Sequence, residues 1–138
     1  MEAHFKLTDR EFIREFKSGN LKPLEFTHEA HIRLAWIQIT TYGIDTALQI
    51  IPKQIQSYVS NIGAYDKYNH TLTIAAVKAV YHFMLRSKGN DFKSFILEFP
   101  RLKLSFNELM HSHYSIDIFN SEKAKHQYIT PDLLAFDL

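Results

Sequence analysis

Apolar residues recur at intervals of three and four along most of the chain, and this spacing predicts helices. No two segments alternate apolar and polar residues around an Asn-Gly or Asp-Gly turn, so the pattern predicts no β-hairpin. The first predicted helix follows Thr8, which has capping-box spacing to Glu11, and it ends at Gly19-Asn20. Phe12 and Phe16 lie on the same face of this helix.

A second helix is predicted over 28–42, with Thr27 as its N-cap and Gly43 as the residue that ends it. Its apolar residues cover most of the helical surface, which is typical of a buried helix. Trp36 falls beside Ile32 on the helical wheel, and we expect it to form part of the core wall near the N-terminal end of this helix.

The remaining helices are predicted from the same capping and breaking signals. A third helix is predicted over 46–61, with Asp45 as its cap and Pro52 inside it, and a fourth over 70–87, with Asn69 as its cap and Gly89 after its end. A short helix is predicted between Asp91 and Pro100. Two or three further short helices are predicted after it, with Ser115 and Ser121 as candidate caps. The C-terminal stretch is too apolar for a free tail. The predicted fold is therefore all-α: a single helical domain over 1–138, with a bundle of about four main helices and a C-terminal set of short helices wrapping it.

Composition narrows the class of protein. The chain has 138 residues, which suits one domain, and its formal net charge of +1 argues against a dedicated nucleic-acid binder. It has no cysteine, so thiolate metal sites and cysteine nucleophiles are excluded. No apolar run approaches the ~20 residues of a membrane span, and the N-terminus lacks a secretory signal pattern. We expect a soluble cytoplasmic protein that binds neither nucleic acid nor membrane.

Three histidines open the two helices that are most apolar. His28 and His31 lie on one inward stripe of the second helix, and His70 begins the helix predicted over 70–87 and also faces inward. His82 falls on the polar face of that helix and is predicted to be solvated. If the second, third and fourth helices run up, down and up, the second and fourth are parallel. The three histidines would then meet at one end of the bundle.

Three convergent imidazoles suit a divalent metal such as zinc or another transition metal. A catalytic zinc keeps one position open for water, whose pKa it lowers to about 7. The alternative is that each ring donates to a carbonyl or hydroxyl group, so that the three form a structural polar cluster. The sequence leaves both interpretations open.

Catalytic candidates follow from the same segments. Glu29 could act as a general base or a metal ligand, but it lies about 100° from the His28 stripe and could instead pair with Arg33 at i, i+4. Arg33 or Thr71 would orient an anionic group of a substrate. His111 and His113 form a second, weaker cluster, because residues two apart point away from each other on a helix.

Four motifs resemble those of a family of small, uncharacterised, all-helical bacterial proteins. They are "FTHEAHIRLAW" at 26–36, "YNHTLT" at 68–73, "HYS" at 113–115 and "PDL" at 131–133. The family pattern is F-x-H-x-x-H-x-R-x-A-W followed by Y-H-x-T-x-T. The resemblance groups the following residues together: His28, His31, Arg33, Trp36, His70, Thr71 and Thr73. It implies no reaction, and this chain departs from the pattern with Asn69 inserted before His70 and with His113 in place of tyrosine.

Two hypotheses for function result. The first is a metal-dependent enzyme that acts on an unidentified small molecule through His28, His31 and His70, with Glu29, Arg33 and Thr71 as catalytic candidates. The second is a non-catalytic helical module for ligand binding or protein interaction, in which the histidines are structural. A small molecule is the expected partner in the first case, and the oligomeric state is left open, a homodimer included.

Overall fold

The computed structural model describes residues 1–137, and every regular element in that range is helical. The α-helices are α1 (Asp9–Ser18), α2 (His28–Tyr42), α3 (Ile44–Asn61), α4 (His70–Met84), α5 (Phe92–Glu98), α6 (Arg101–Leu104), α7 (Phe106–His113) and α8 (Glu122–His126). Short 3-10 helices lie at Ala3–Lys6, Pro23–Glu25 and Tyr65–Lys67. The predicted all-α class is confirmed. The finer arrangement, four main helices wrapped by the C-terminal ones, stays a prediction.

Capping residues set most helix starts where the sequence predicted them. Thr8 forms a complete capping box with Glu11, and the side chains of Thr27, Asn69, Asp91 and Ser121 each accept a backbone N–H of the helix that follows. Each of these contacts satisfies an amide that the helix itself leaves without a partner.

Three predicted boundaries were wrong. Helix α3 begins at Ile44, so Asp45 lies in its first turn instead of capping it, because Gly43 (φ +85°) both ends α2 and starts α3. Helix α4 ends at Met84, earlier than predicted. Ser115 caps no helix, because none begins there; its backbone N–H donates to Asp132 Oδ1 at 2.9 Å.

The core lies where α2, α3 and α4 pack on one another. Ile32, Leu34 and Val80 are fully buried there, and Trp36 is 8% exposed, which confirms that it belongs to the core. Its ring lies 6.1 Å from that of Phe92 on α5. Burying one such aromatic side chain removes a large apolar area from water, which is the main stabilising term in a chain without disulfides.

The C-terminal segment is fixed to α4 and α7 by hydrogen bonds. Thr71 donates to the carbonyl of Gln127 at 2.7 Å and accepts the N–H of Ile129 at 3.0 Å. The ring of Phe136, itself buried, stacks on His113 at 4.0 Å. Among the described residues, no helix is both long and apolar enough to cross a membrane.

Candidate functional site

A cavity of about 450 Å³ opens between α2, α3 and α4. It is bordered by the N-terminal halves of α2 and α4 and by the C-terminal half of α3, as expected if these helices run up, down and up. Its walls are mostly apolar, with side chains that include Ile32, Ile55, Leu72, Phe106 and Phe119. A concave, mainly apolar space with a few polar groups is the usual form of a small-molecule site.

His28 and His31 both line this cavity, from the first turn of α2. His70 begins α4 and does not line it, but its Nδ1 lies 2.8 Å from the hydroxyl of Tyr68, which does. Burial raises the pKa of the Tyr68 phenol, so this hydroxyl keeps its proton at neutral pH. The first turns of α2 and α4 therefore both border this cavity, while the meeting of the three histidines stays a prediction.

His31 is held rigidly at the cavity wall. Its ring stacks on Phe26 with centroids 3.7 Å apart, and its Nδ1 lies 2.8 Å from the carbonyl oxygen of Thr27. A carbonyl oxygen only accepts, so Nδ1 carries the proton and Nε2 of the neutral ring carries a lone pair. The pKa of His31 is lowered to about 4, chiefly by burial. The hydrogen bond to Thr27 raises this pKa, and the nearby His28 lowers it further. At neutral pH the ring is therefore uncharged.

His28 has the opposite arrangement. Its ring is exposed, and its Nε2 donates to the carbonyl oxygen of Leu102, at 2.8 Å, in α6. The ring also contacts Phe106, with centroids 4.7 Å apart. Nδ1 of His28 has no described protein partner, so its lone pair is available to a ligand.

As placed, the three predicted ligands do not form one metal-binding set. Among the described residues, the only group of three or more ligand-type residues whose atoms all lie within 4.8 Å of one another is Glu2, His4 and Glu29. Of the predicted set, His70 does not line the cavity, and its Nδ1 is bonded to the hydroxyl of Tyr68. Metal binding by His28, His31 and His70 stays a prediction.

The predicted catalytic residues Glu29 and Arg33 lie on another side of α2 and do not line the cavity. Nor do they pair with each other, as one interpretation expected. Arg33, although 96% of its surface is buried, binds Asp9 at 2.9 Å and donates to the backbone carbonyls of His4 and Leu7 at 2.7 and 2.8 Å. All of these partners come from the N-terminal segment, so Arg33 anchors that segment to α2.

Glu29 is buried between a histidine and a lysine. His4 Nε2 lies 2.7 Å from one of its oxygens and Lys103 Nζ lies 2.9 Å from the other, while Lys103 also binds Glu2 at 3.1 Å. Hydrogen bonds to Glu29 and Glu2 raise the pKa of Lys103. The lysine ammonium thus already supplies the cation that this carboxylate pair needs, and the arrangement is that of a structural ion-pair network.

His4 is the residue that the sequence did not reveal. It is fully buried, and burial lowers its pKa although Glu29 opposes the change. Its Nδ1 accepts from Arg33 at 3.3 Å and its Nε2 donates to Glu29, so the neutral ring uses both nitrogens. His4 lies in a four-residue 3-10 helix, which is too short for a periodic signal.

Thr71, the third catalytic candidate, is fully buried and uses its hydroxyl to hold the C-terminal segment. His111 is exposed, and His113 donates from Nδ1 to the carbonyl of Leu134 at 2.7 Å. His82 is less solvated than predicted, because its Nδ1 lies 2.6 Å from Asp137. Thr71, His82 and His113 therefore hold the C-terminal segment, and none of the four residues lines the cavity.

Comparison with family models, curated proteins and solved structures finds no match for this chain.

Proposed function

We propose that the chain binds a mainly apolar small molecule in the cavity between α2, α3 and α4. The observation that carries this proposal is the combination of about 450 Å³ of apolar-walled space with His31, whose Nε2 has no described protein partner. Apolar walls supply affinity by removing ligand surface from water, and a few fixed polar groups orient the ligand. The residues predicted to act in catalysis are engaged elsewhere, which favours binding over chemistry.

A neutral fluorescent probe, N-phenyl-1-naphthylamine, tests the proposal, because its emission rises in an apolar site. Wild-type protein is expected to bind it with saturation at one site per chain. Ala76→Phe adds a large ring to the cavity wall and is expected to abolish binding. The matched control is Ala135→Phe, the same change at an exposed position, which should bind as wild type does. Absence of probe binding to the wild type, or unchanged binding by Ala76→Phe, would contradict the proposal.

A second candidate is the metal-dependent enzyme, with a transition metal such as zinc. Its support is that His28 and His31 line the same cavity and each keeps one ring nitrogen without a described protein partner. His70 does not line the cavity and its Nδ1 is bonded to Tyr68, so it would join them through Nε2. If this candidate is right, purified protein dialysed against zinc retains one ion per chain, and His28→Ala and His31→Ala lose it. This metal site is excluded if both variants retain zinc, or if neither the wild type nor the variants retain it.

A further inference from the structure

The polar groups of the cavity leave hydrogen-bond acceptors available and few donors. Asn69 uses its side chain twice, since Oδ1 accepts from Leu72 N at 3.0 Å and Nδ2 donates to the carbonyl of Ile118 at 2.8 Å. Thr73 donates its hydroxyl proton to the carbonyl of Asn69 at 2.8 Å. Thr73 therefore has no hydroxyl proton left to donate, and one of the two Nδ2 protons of Asn69 is committed to the backbone.

The two histidines that line the cavity also have their N–H donors engaged and their acceptor nitrogens available. Nδ1–H of His31 and Nε2–H of His28 both donate to backbone carbonyls, of Thr27 and Leu102. What remains on each neutral ring is a lone pair. A ligand that enters this cavity therefore meets imidazole acceptors, and a polar ligand group without a proton to donate would face them unpaired.

The entrance gives little support to an anionic ligand. Lys67 lines the cavity and is exposed, but it also borders a polar depression that adjoins the cavity. That depression is lined by Asp66 and Glu122 together with Lys67 and Lys125, so its formal charges cancel. Lys67 is the one charged side chain that lines the cavity itself, and because it is exposed its ammonium stays hydrated and offers a ligand carboxylate little to replace its own hydration.

We propose that the ligand is a neutral, mainly apolar molecule bearing a hydroxyl or N–H group, and that this group donates to Nε2 of His31. The inference rests on the proposed function and adds the ligand's chemical class to it. The rigid stacking of His31 on Phe26 keeps Nε2 at a fixed place on the wall. The ring thus selects among apolar molecules by their ability to donate a hydrogen bond.

The test compares three probes of eight carbons as competitors for N-phenyl-1-naphthylamine. Octan-1-ol and dibutyl ether have the same atomic composition, but only the alcohol donates a hydrogen bond; octanoate is the anionic member. One neutral hydrogen bond is worth about 1 kcal/mol, so octan-1-ol should displace the fluorophore at about fivefold lower concentration than dibutyl ether. Octanoate should be the weakest of the three.

His31→Phe keeps a flat ring against Phe26 and removes Nε2, so its expected ratio between alcohol and ether is about one. His126→Gln, a change at an exposed histidine, should keep the wild-type ratio. If His31→Phe fails to fold, the comparison of the three probes on wild-type protein still tests whether the cavity prefers a hydrogen-bond donor. Equal displacement by alcohol and ether, or strongest displacement by octanoate, overturns this inference while leaving the binding proposal intact. Failure of the fluorophore itself to bind overturns both.

Discussion

Acid should destabilise this protein through His31 as the pH falls below 6.5. The pKa of His31 is lowered from 6.5 to about 4 in the folded state, chiefly by burial. Between these values the unfolded chain binds a proton at this position and the folded chain does not. Stability at this site is therefore present above pH 6.5 and is lost as the pH falls toward 4.

The size of this effect follows from the same two values. Each unit of pKa difference is worth about 1.4 kcal/mol, so lowering the pH from 7 to 4.5 should remove about 2 kcal/mol of unfolding free energy through His31 alone. His28 is the only charged or titratable group that acts on the His31 pKa, and it lowers it further. His4 acts in the same direction, because burial lowers its pKa too.

The assay is urea unfolding at pH 7 and pH 4.5, followed by the fluorescence of Trp36, which is the only tryptophan and is buried. The comparison is between wild type and His31→Asn, whose amide can still donate to the Thr27 carbonyl but does not titrate. Between pH 7 and pH 4.5, the unfolding free energy of the wild type should fall by about 2 kcal/mol more than that of the variant. The contribution of His4 is the same in both proteins and cancels in the difference. Equal losses, or a His31 pKa near 6.5 measured by NMR, would refute the assignment of a buried neutral ring.

Three further predictions concern stability. Trp36→Ala should lower the unfolding free energy by about 3–5 kcal/mol in urea titrations followed by circular dichroism, and an unchanged midpoint would contradict its burial. Glu29→Gln should lower the unfolding free energy by about 2 kcal/mol in the same assay. This is less than the loss on breaking a fully buried ion pair, because the side chain of Lys103 is 38% exposed. An unchanged unfolding free energy would mean that the ion-pair network does not stabilise the fold. Thr71→Val should lower the unfolding free energy by about 1–3 kcal/mol and speed hydrogen exchange at the amide of Ile129. Unchanged exchange at this amide would show that Thr71 does not hold the C-terminal segment.

The helices were predictable because their signals are local. Thr27 and Asn69 cap the helices that follow them, and a side chain that accepts a backbone N–H three residues later needs no information from the rest of the chain. The same holds for the inward placement of His31, which follows from its spacing to Ile32 and the apolar residues beyond. The short connections also predicted that α2 and α4 begin near each other, and the first turns of both helices border the cavity.

The partners of Glu29 and Arg33 were not predictable, because they are set by contacts distant in sequence. The spacing of i, i+4 favours an ion pair between them, yet Asp9, His4 and Lys103 provide partners that compete with it. None of these lies near α2 in the sequence, and the 3-10 helix that carries His4 has no periodic pattern. The role of Thr71 was hidden for the same reason, since its partners lie more than 50 residues later.

Helix α6 links the two polar regions of α2. The carbonyl of Leu102 accepts from His28 on the cavity side, and the next residue, Lys103, binds Glu29 on the side of the N-terminal segment. Two consecutive residues of α6 therefore contact His28 and the buried carboxylate, one each. One short helix thus contacts both an imidazole of the cavity and the ion-pair network, and this accounts for two of the polar residues in the first turn of α2, His28 and Glu29. His28 bonds to α6, and Glu29 bonds to both α6 and the N-terminal 3-10 helix, so the turn that carries His31 is fixed from two directions.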